Sequence, residues 1–241
     1  MNRETQFRRT KIVATLGPSS AEPGVLRDLL HTGVDVVRIN SSHGDPDEWG
    51  EWIGLVRRVA EDVGRRVGVL VDLQGPRIRV GSLDEPVTLE RGAEVAFAPE
   101  AEAGTGEIPT TYAALAEDVA PGSTILLDDG LLSVEVTGVT GSRVTGRVRQ
   151  GGQLGSHKGM NLPGTKVSAP ALTEVDRRHL AVALERDADF IGISFVRTAE
   201  DVRAVRALVP EHVRLVAKIE MAAAVDDLDR ILEASDAIMV A

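Results

Sequence analysis

The stretch VGVLVDLQGPRIRVG, Val67 to Gly81, decides the fold. Its first seven residues are almost unbroken Val, Leu and Gly, the composition of a strand buried on both faces in a parallel sheet. A parallel strand should be followed by a helix that carries the chain back, yet the text from Leu73 to Phe190 reads mostly as β structure. The runs PVTLERGAEVAFAP, STILLDDGLLSVEV and SRVTGRVRQGG are strand-like, and Asp129-Gly130 and Gly141-Ser142 are turn signals between them. The spacing predicts a small β-rich domain at 81–163, inserted after the third strand of an α/β framework formed by residues 1–80 and 164–241.

Outward from this stretch the framework repeats itself. Short apolar runs recur as IVATLG from Ile12, VDVVRIN from Val34, FIGISFV from Phe190, VRLVAKIE from Val213 and AIMVA from Ala237. Helix-length segments separate them: Gly24 to Leu30, Asp45 to Val63, Thr173 to Glu185, Ala199 to Val209 and Ala222 to Leu232. Ser20 or Glu22 with Pro23 marks a helix start, and Thr173 with Asp176 forms a capping box with the shorter acid. The intervals suit βα units joined by right-handed crossovers.

Composition narrows the chemistry. The chain has 241 residues, 43% of them hydrophobic, which is enough for a sizeable core. The absence of cysteine excludes disulfides, thiolate metal sites and thiol nucleophiles, so reactive groups must be oxygen or nitrogen and any metal a hard one. A net charge of −10 without a basic tract argues against nucleic acid. No signal peptide or membrane span is legible, and a cytoplasmic protein acting on small molecules is expected.

Polar residues gather where parallel α/β barrels place their sites, at the C-terminal ends of the strands. Arg38 and Asn40 stand two apart and share a face, followed by Ser42, His43 and Gly44 in the loop. The third strand ends at Asp72-Leu73-Gln74, followed by Arg77 and Arg79; the fifth ends Lys218-Ile219-Glu220, again with two charges on one side. A structural ion pair explains any one of these, but three strand ends together point to a shared site. Lysine is scarce, four residues against 23 arginines, so Lys218 marks a place where a compact ammonium matters. His31, His179 and His212 are expected at the surface, and Trp49 and Trp52 in helix packing. Asp128-Asp129-Gly130 reads as a hairpin turn, and Gly151 to Gly164 lacks the phosphate-loop signature.

Several segments, in order along the chain, resemble pyruvate kinase: TKIVATLGPSS (Thr10 to Ser20), VVRINSSHG (Val36 to Gly44), LVDLQGPRIRVG (Leu70 to Gly81), LLDDGLLSVEV (Leu126 to Val136), KGMNLPG (Lys158 to Gly164), PALTEVD (Pro170 to Asp176), FIGISFVR (Phe190 to Arg197), and KIE followed by SDAIMVA. The resemblance implies an α/β fold, an incomplete TIM-type (β/α)8 barrel of about six strands with a small β-barrel domain inserted after strand 3. It implies phosphoryl transfer between phosphoenolpyruvate and ADP to give pyruvate and ATP, with Mg2+ or Mn2+ and usually K+. Arg38 and Arg79 would bind phosphate, Lys218 would stabilise the transferring phosphoryl and the developing enolate, and Glu220 would hold Mg2+. Asn40, Ser42, Asp72 and the Leu73 carbonyl match the family's K+ cage; Asn40, His43 and Lys158 match nucleotide-side positions.

The sequence departs from the family at Arg77, where Glu or Lys is usual, at Leu73 and Gln74, and at Met221. A guanidinium at Arg77 predicts a K+-independent reaction. The chain carries six of the family's eight strands, so an oligomer or a complementing chain is expected to cover the open barrel edge. A catalytically silent phosphate- and Mg2+-binding module, and a related enolate-forming barrel enzyme, stand as alternatives.

Overall fold

The computed structural model describes residues 9–76 and 78–240. The chain begins with β1 (Val13–Leu16), α1 (Pro23–Thr32), β2 (Val36–Asn40), α2 (Pro46–Asp62) and β3 (Gly68–Asp72). It continues through β4 (Val87–Leu89), β5 (Glu94–Pro99), β6 (Ile108–Thr110), α3 (Leu115–Asp118), β7 (Thr124–Leu127), β8 (Leu132–Thr140), β9 (Arg143–Gln150), β10 (Gly152–Leu154) and β11 (Met160–Asn161). It returns as α4 (Glu174–Glu185), β12 (Phe190–Ile193), α5 (Ala199–Arg206), β13 (Arg214–Ile219), α6 (Ala222–Asp226), α7 (Leu228–Ala234) and β14 (Ala237–Val240). Two units result, Met1–Gly75 with Ala171–Ala241, and Pro76–Pro170.

In the first unit six parallel strands form one sheet in the order β1-β2-β3-β12-β13-β14. The order follows the chain without reversal, and right-handed crossovers then put every helix on the same side of the sheet. That winding belongs to a β/α barrel and not to a doubly wound sheet, which reverses direction at a switch point. Alternate strand residues face the helices: Val37 and Ile39, Val69 and Val71, Ile191 and Ile193, Leu215 and Ala217 join one buried cluster with Leu26, Leu30, Trp49, Ile53 and Val56. The opposite face therefore takes the intervening residues, including Arg38, Asp72 and Lys218.

Local signals set the helix ends. Asp45 accepts from the Asp47 N–H at the start of α2, and Thr173 and Asp176 cap α4 reciprocally. Asp176 is fully buried because its second oxygen accepts a further bond, 3.0 Å from the Gly75 N–H, which clips the start of α4 to the end of β3. The single helix expected over 222–232 is two helices. Asp227 turns out of helical geometry, and its carboxylate accepts from the Ala199 N–H at the start of α5, 2.8 Å away.

His31 and His212 are exposed, but His179 corrects the surface expectation. Its ring meets the Trp49 edge at 4.6 Å between centroids, and its Nδ1 is buried without a partner. Burial lowers its pKa below the usual 6.5, with the Asp176 carboxylate opposing and Arg178 adding to the depression. The unfolded chain thus takes up this proton first, so its contribution to stability is complete above the unfolded pKa and declines as pH falls through the folded one. Urea midpoints measured at about pH 7.5 and about pH 5.5 should fall further for the native chain than for His179→Phe. Equal falls would show that this histidine does not link protonation to folding.

The second unit contains a six-stranded sheet, β11-β7-β8-β9-β5-β6, and a two-stranded sheet, β10-β4. Asp128 and Asp129 form the β7–β8 turn in left-handed conformation, and Gly141 begins the β8–β9 turn, as the sequence indicates. The unit also takes in Ile78–Val80, upstream of the inserted span read from the sequence. Arg79 bridges Gly159 beside β11 and Val80 bridges Thr110 in β6, so one segment meets both edges of the six-stranded sheet. Phe97, Ile125, Leu127, Val134, Val144 and Leu154 lead a separate buried cluster inside it. Among the described residues, no helix is long and apolar enough to cross a membrane.

Candidate active site

The polar face of the six-stranded sheet is built around Asp72, the last residue of β3. Parallel register sets Asn40 of β2 and Gly192 of β12 on either side of it. A side chain at Gly192 would have its Cβ 3.0 Å from Asp72 Oδ1, so glycine there makes room for the carboxylate. Only 1% of the Asp72 side chain is exposed.

Two cations share this one acid. Arg38 approaches Asp72 Oδ2 through Nε at 2.8 Å and Nη2 at 2.5 Å, and its Nη1 donates to Thr15 Oγ1 at 2.9 Å. Lys218 stands 3.3 Å from Asp72 Oδ1 and 3.0 Å from Glu220 Oε1, with 10% of its side chain exposed. Arg38, Asp72, Lys218 and Glu220 form a continuous chain of alternating charge, and their balance removes most of the penalty of burying them. An anion entering beside Arg38 and Lys218 would meet two positive groups held in place before it arrives.

Two residues not singled out from the sequence complete the cluster. Ser194 Oγ lies 2.8 Å from Lys218 Nζ and 2.6 Å from the Leu73 carbonyl, and the Phe195 N–H donates to Glu220 Oε2 at 2.9 Å. Both sit inside FIGISFVR, directly after β12. The available signal was a hydroxyl at the C-terminal end of an apolar strand.

The family described as "Pyruvate kinase, barrel domain" matches residues 7–241. The chain belongs to the pyruvate kinase family. It is 42% identical to the pyruvate kinase of Agrobacterium vitis over 237 residues, which is 97% of this chain and 50% of that protein. It is also 42% identical to the pyruvate kinase of Geobacillus stearothermophilus, covering 97% of this chain and 41% of that protein. The pyruvate kinase of Corynebacterium efficiens is 44% identical, with 97% and 50% covered. The chain thus spans about half the length of the pyruvate kinases it matches.

Of the positions that the pyruvate kinase resemblance marks, Arg38, Asp72, Leu73, Lys218 and Glu220 are brought together in the first unit. Asn40 and Ser42 are neighbours there, with the Ser42 N–H donating to Asn40 Oδ1 at 3.1 Å. His43 is exposed, and its backbone carbonyl accepts from Trp49 Nε1 at 2.9 Å, which ties the loop after β2 to the buried face of α2. Arg79 and Lys158 lie in the second unit. Arg79 Nη1 donates to the His157 carbonyl at 3.3 Å, and Lys158 pairs with Asp128 at 2.9 Å. Arg77 lies outside the described residues.

The donor chemistry separates the two metals implied by the family. Glu220 offers a partly exposed carboxylate, and Mg2+ commonly takes one or two carboxylates and fills its shell with water and substrate phosphate, so this residue fits. Among the described residues no group of three or more His, Asp or Glu side chains stands close enough to hold a metal. For K+ the fit is poor. Asn40 Oδ1, Asp72 and the Leu73 carbonyl already accept from donors of the chain, and Asp72 faces two cations.

Proposed function

We propose that this chain provides the phosphoenolpyruvate-side machinery of a pyruvate kinase-type phosphotransferase, transferring a phosphoryl group between phosphoenolpyruvate and ADP to give pyruvate and ATP. The observation that carries this reading is the chain Arg38–Asp72–Lys218–Glu220 on one face of the sheet, at and near the C-terminal strand ends. Arg38, held by Asp72 and Thr15, binds the substrate phosphate with the guanidinium N–H groups that these contacts leave over. Lys218 stabilises negative charge that grows on the transferring phosphoryl and on the enolate oxygen. Glu220 would hold Mg2+, which when bound neutralises phosphate charge. The resemblance assigns Arg79 to the phosphate and Asn40, His43 and Lys158 to the nucleotide.

In this reading the six strands belong to an eight-stranded TIM-type barrel, the second unit is the small β domain inserted after its third strand, and the enzyme is cytoplasmic and glycolytic.

A lactate-dehydrogenase-coupled assay of the purified chain with phosphoenolpyruvate, ADP and Mg2+ tests the reading; turnover supports it. Metal-dependent phosphoenolpyruvate binding without turnover establishes the silent binding module instead. Potassium dependence is a further prediction. By the family resemblance the charge of Arg77 replaces a monovalent ion, and the two cations already on Asp72 leave that ion no electrostatic task there. Rates in K+ and in tetramethylammonium buffer should agree within about twofold, less than the contribution of one ordinary hydrogen bond. A strong K+ requirement would remove this role from Arg77.

A further inference from the structure

Lys218 has only donors to offer, so a hydroxyl beside it must accept. Ser194 does so at 2.8 Å, and its single hydrogen is then committed to the Leu73 carbonyl at 2.6 Å, a shorter contact than the 3.4 Å to Asp72 Oδ1. The hydroxyl is buried, so no water competes for it. The ammonium is thereby tied, through one oxygen, to the backbone at the end of β3.

The turn bearing this serine is itself braced. Phe195 holds a left-handed backbone with φ +55°, a conformation that a bulky residue adopts only when its surroundings impose it. Its N–H points at Glu220 Oε2 as a result. Across from it, a Cβ on Gly75 would come 3.0 Å from both the Ser194 carbonyl and the Phe195 ring, so only glycine lets the two strand ends close up. Gly75, with φ +71°, is in turn fixed by Asp176 Oδ1 at 3.0 Å. Asp176, Gly75, Leu73, Ser194 and Lys218 thus form one connected support running from the cap of α4 to the ammonium.

We propose that Ser194 is a positioning residue for Lys218, setting where the ammonium stands relative to the substrate phosphate, with the strained turn at Phe195 keeping the serine in place. This deepens the reading of Lys218 given above and rests on it for its catalytic meaning. The positional claim stands apart from turnover.

The scarcity of lysine supplies the test. The purified chain would be treated with an amine-acylating reagent, and labelling at Lys11, Lys158, Lys166 and Lys218 followed in time by peptide mass spectrometry. The first three are exposed and serve as references within the same molecule. Ser194→Ala should raise the Lys218 rate about tenfold relative to the other three, the factor corresponding to a lost hydrogen bond to a charged group. Ser194→Thr, which restores the hydroxyl, should return it toward the native rate. An unchanged Lys218 rate overturns the proposal, and so does an equal rise at all four lysines, which would make the serine a support of the fold as a whole. In the coupled assay, Ser194→Ala should lower kcat with little change in the KM for phosphoenolpyruvate. Failure of the native chain to turn over would count against the proposed function, whereas the labelling result decides the role of Ser194 by itself.

Discussion

Asp72→Asn is expected to destabilise the first unit by about 3 kcal/mol, the low end of what removing one partner from a buried ion pair costs. The reason is the sharing of one acid by two cations. With Asp72 neutral, Arg38 and Lys218 are left facing each other across a group that no longer balances them, in a site where the acid itself is 1% exposed. The upper end of the range does not apply. Arg38 keeps 22% of its side chain in solvent, and Lys218 retains Glu220 at 3.0 Å. Urea unfolding at neutral pH, followed by far-ultraviolet circular dichroism, measures the loss. The double replacement Asp72→Asn with Lys218→Met should cost less than the two single changes added together, because it removes one charge of each sign. Additive costs, or an Asp72→Asn variant as stable as the native chain, would mean that the three groups do not act as a unit.

Lys218→Met should abolish most turnover while leaving the fold intact. Methionine keeps the length and much of the volume of the lysine stem, and Asp72 still has both contacts from Arg38. What is lost is the ammonium at the centre of the cluster. Removing one preorganised group that stabilises transition-state charge costs about 10²–10³ in kcat, and that is the expected loss in the coupled assay. The KM for phosphoenolpyruvate should move much less, since Arg38, the proposed phosphate-binding cation, is untouched. The converse pattern, an unchanged kcat with a raised KM, would assign Lys218 to binding alone. A variant turning over at the native rate would place the chemistry elsewhere.

Much of this architecture is written locally. Val69 and Val71 alternate with Leu70 and Asp72 along β3, so the helix-facing and polar faces follow from period-two geometry as soon as the strand is recognised. The spacing of Lys218 and Glu220 places both on one side of the chain in the same way, and the capping box of α4 is visible as Thr173 and Asp176 three residues apart. The break between α6 and α7 was not legible, because Asp227 leaves the helix to satisfy the N–H of Ala199, a partner distant in sequence. The same holds for His179, whose burial depends on Trp49 from a different helix.

By itself, then, the sequence determined the order of elements, the β-rich stretch between two sets of βα units, the family, and the identity of four charged residues at strand ends. Those properties depend on periodicity and spacing, which neighbouring residues set. Only the tertiary structure decided that Asp72 is shared by Arg38 and Lys218, that Ser194 joins the ammonium to the Leu73 carbonyl, and that Phe195 is held in a left-handed turn against Gly75. Each of these joins residues carried by different strands or by the segments that directly follow them. Strand register and the close approach of two strand ends fix such contacts, and a linear pattern carries no record of either.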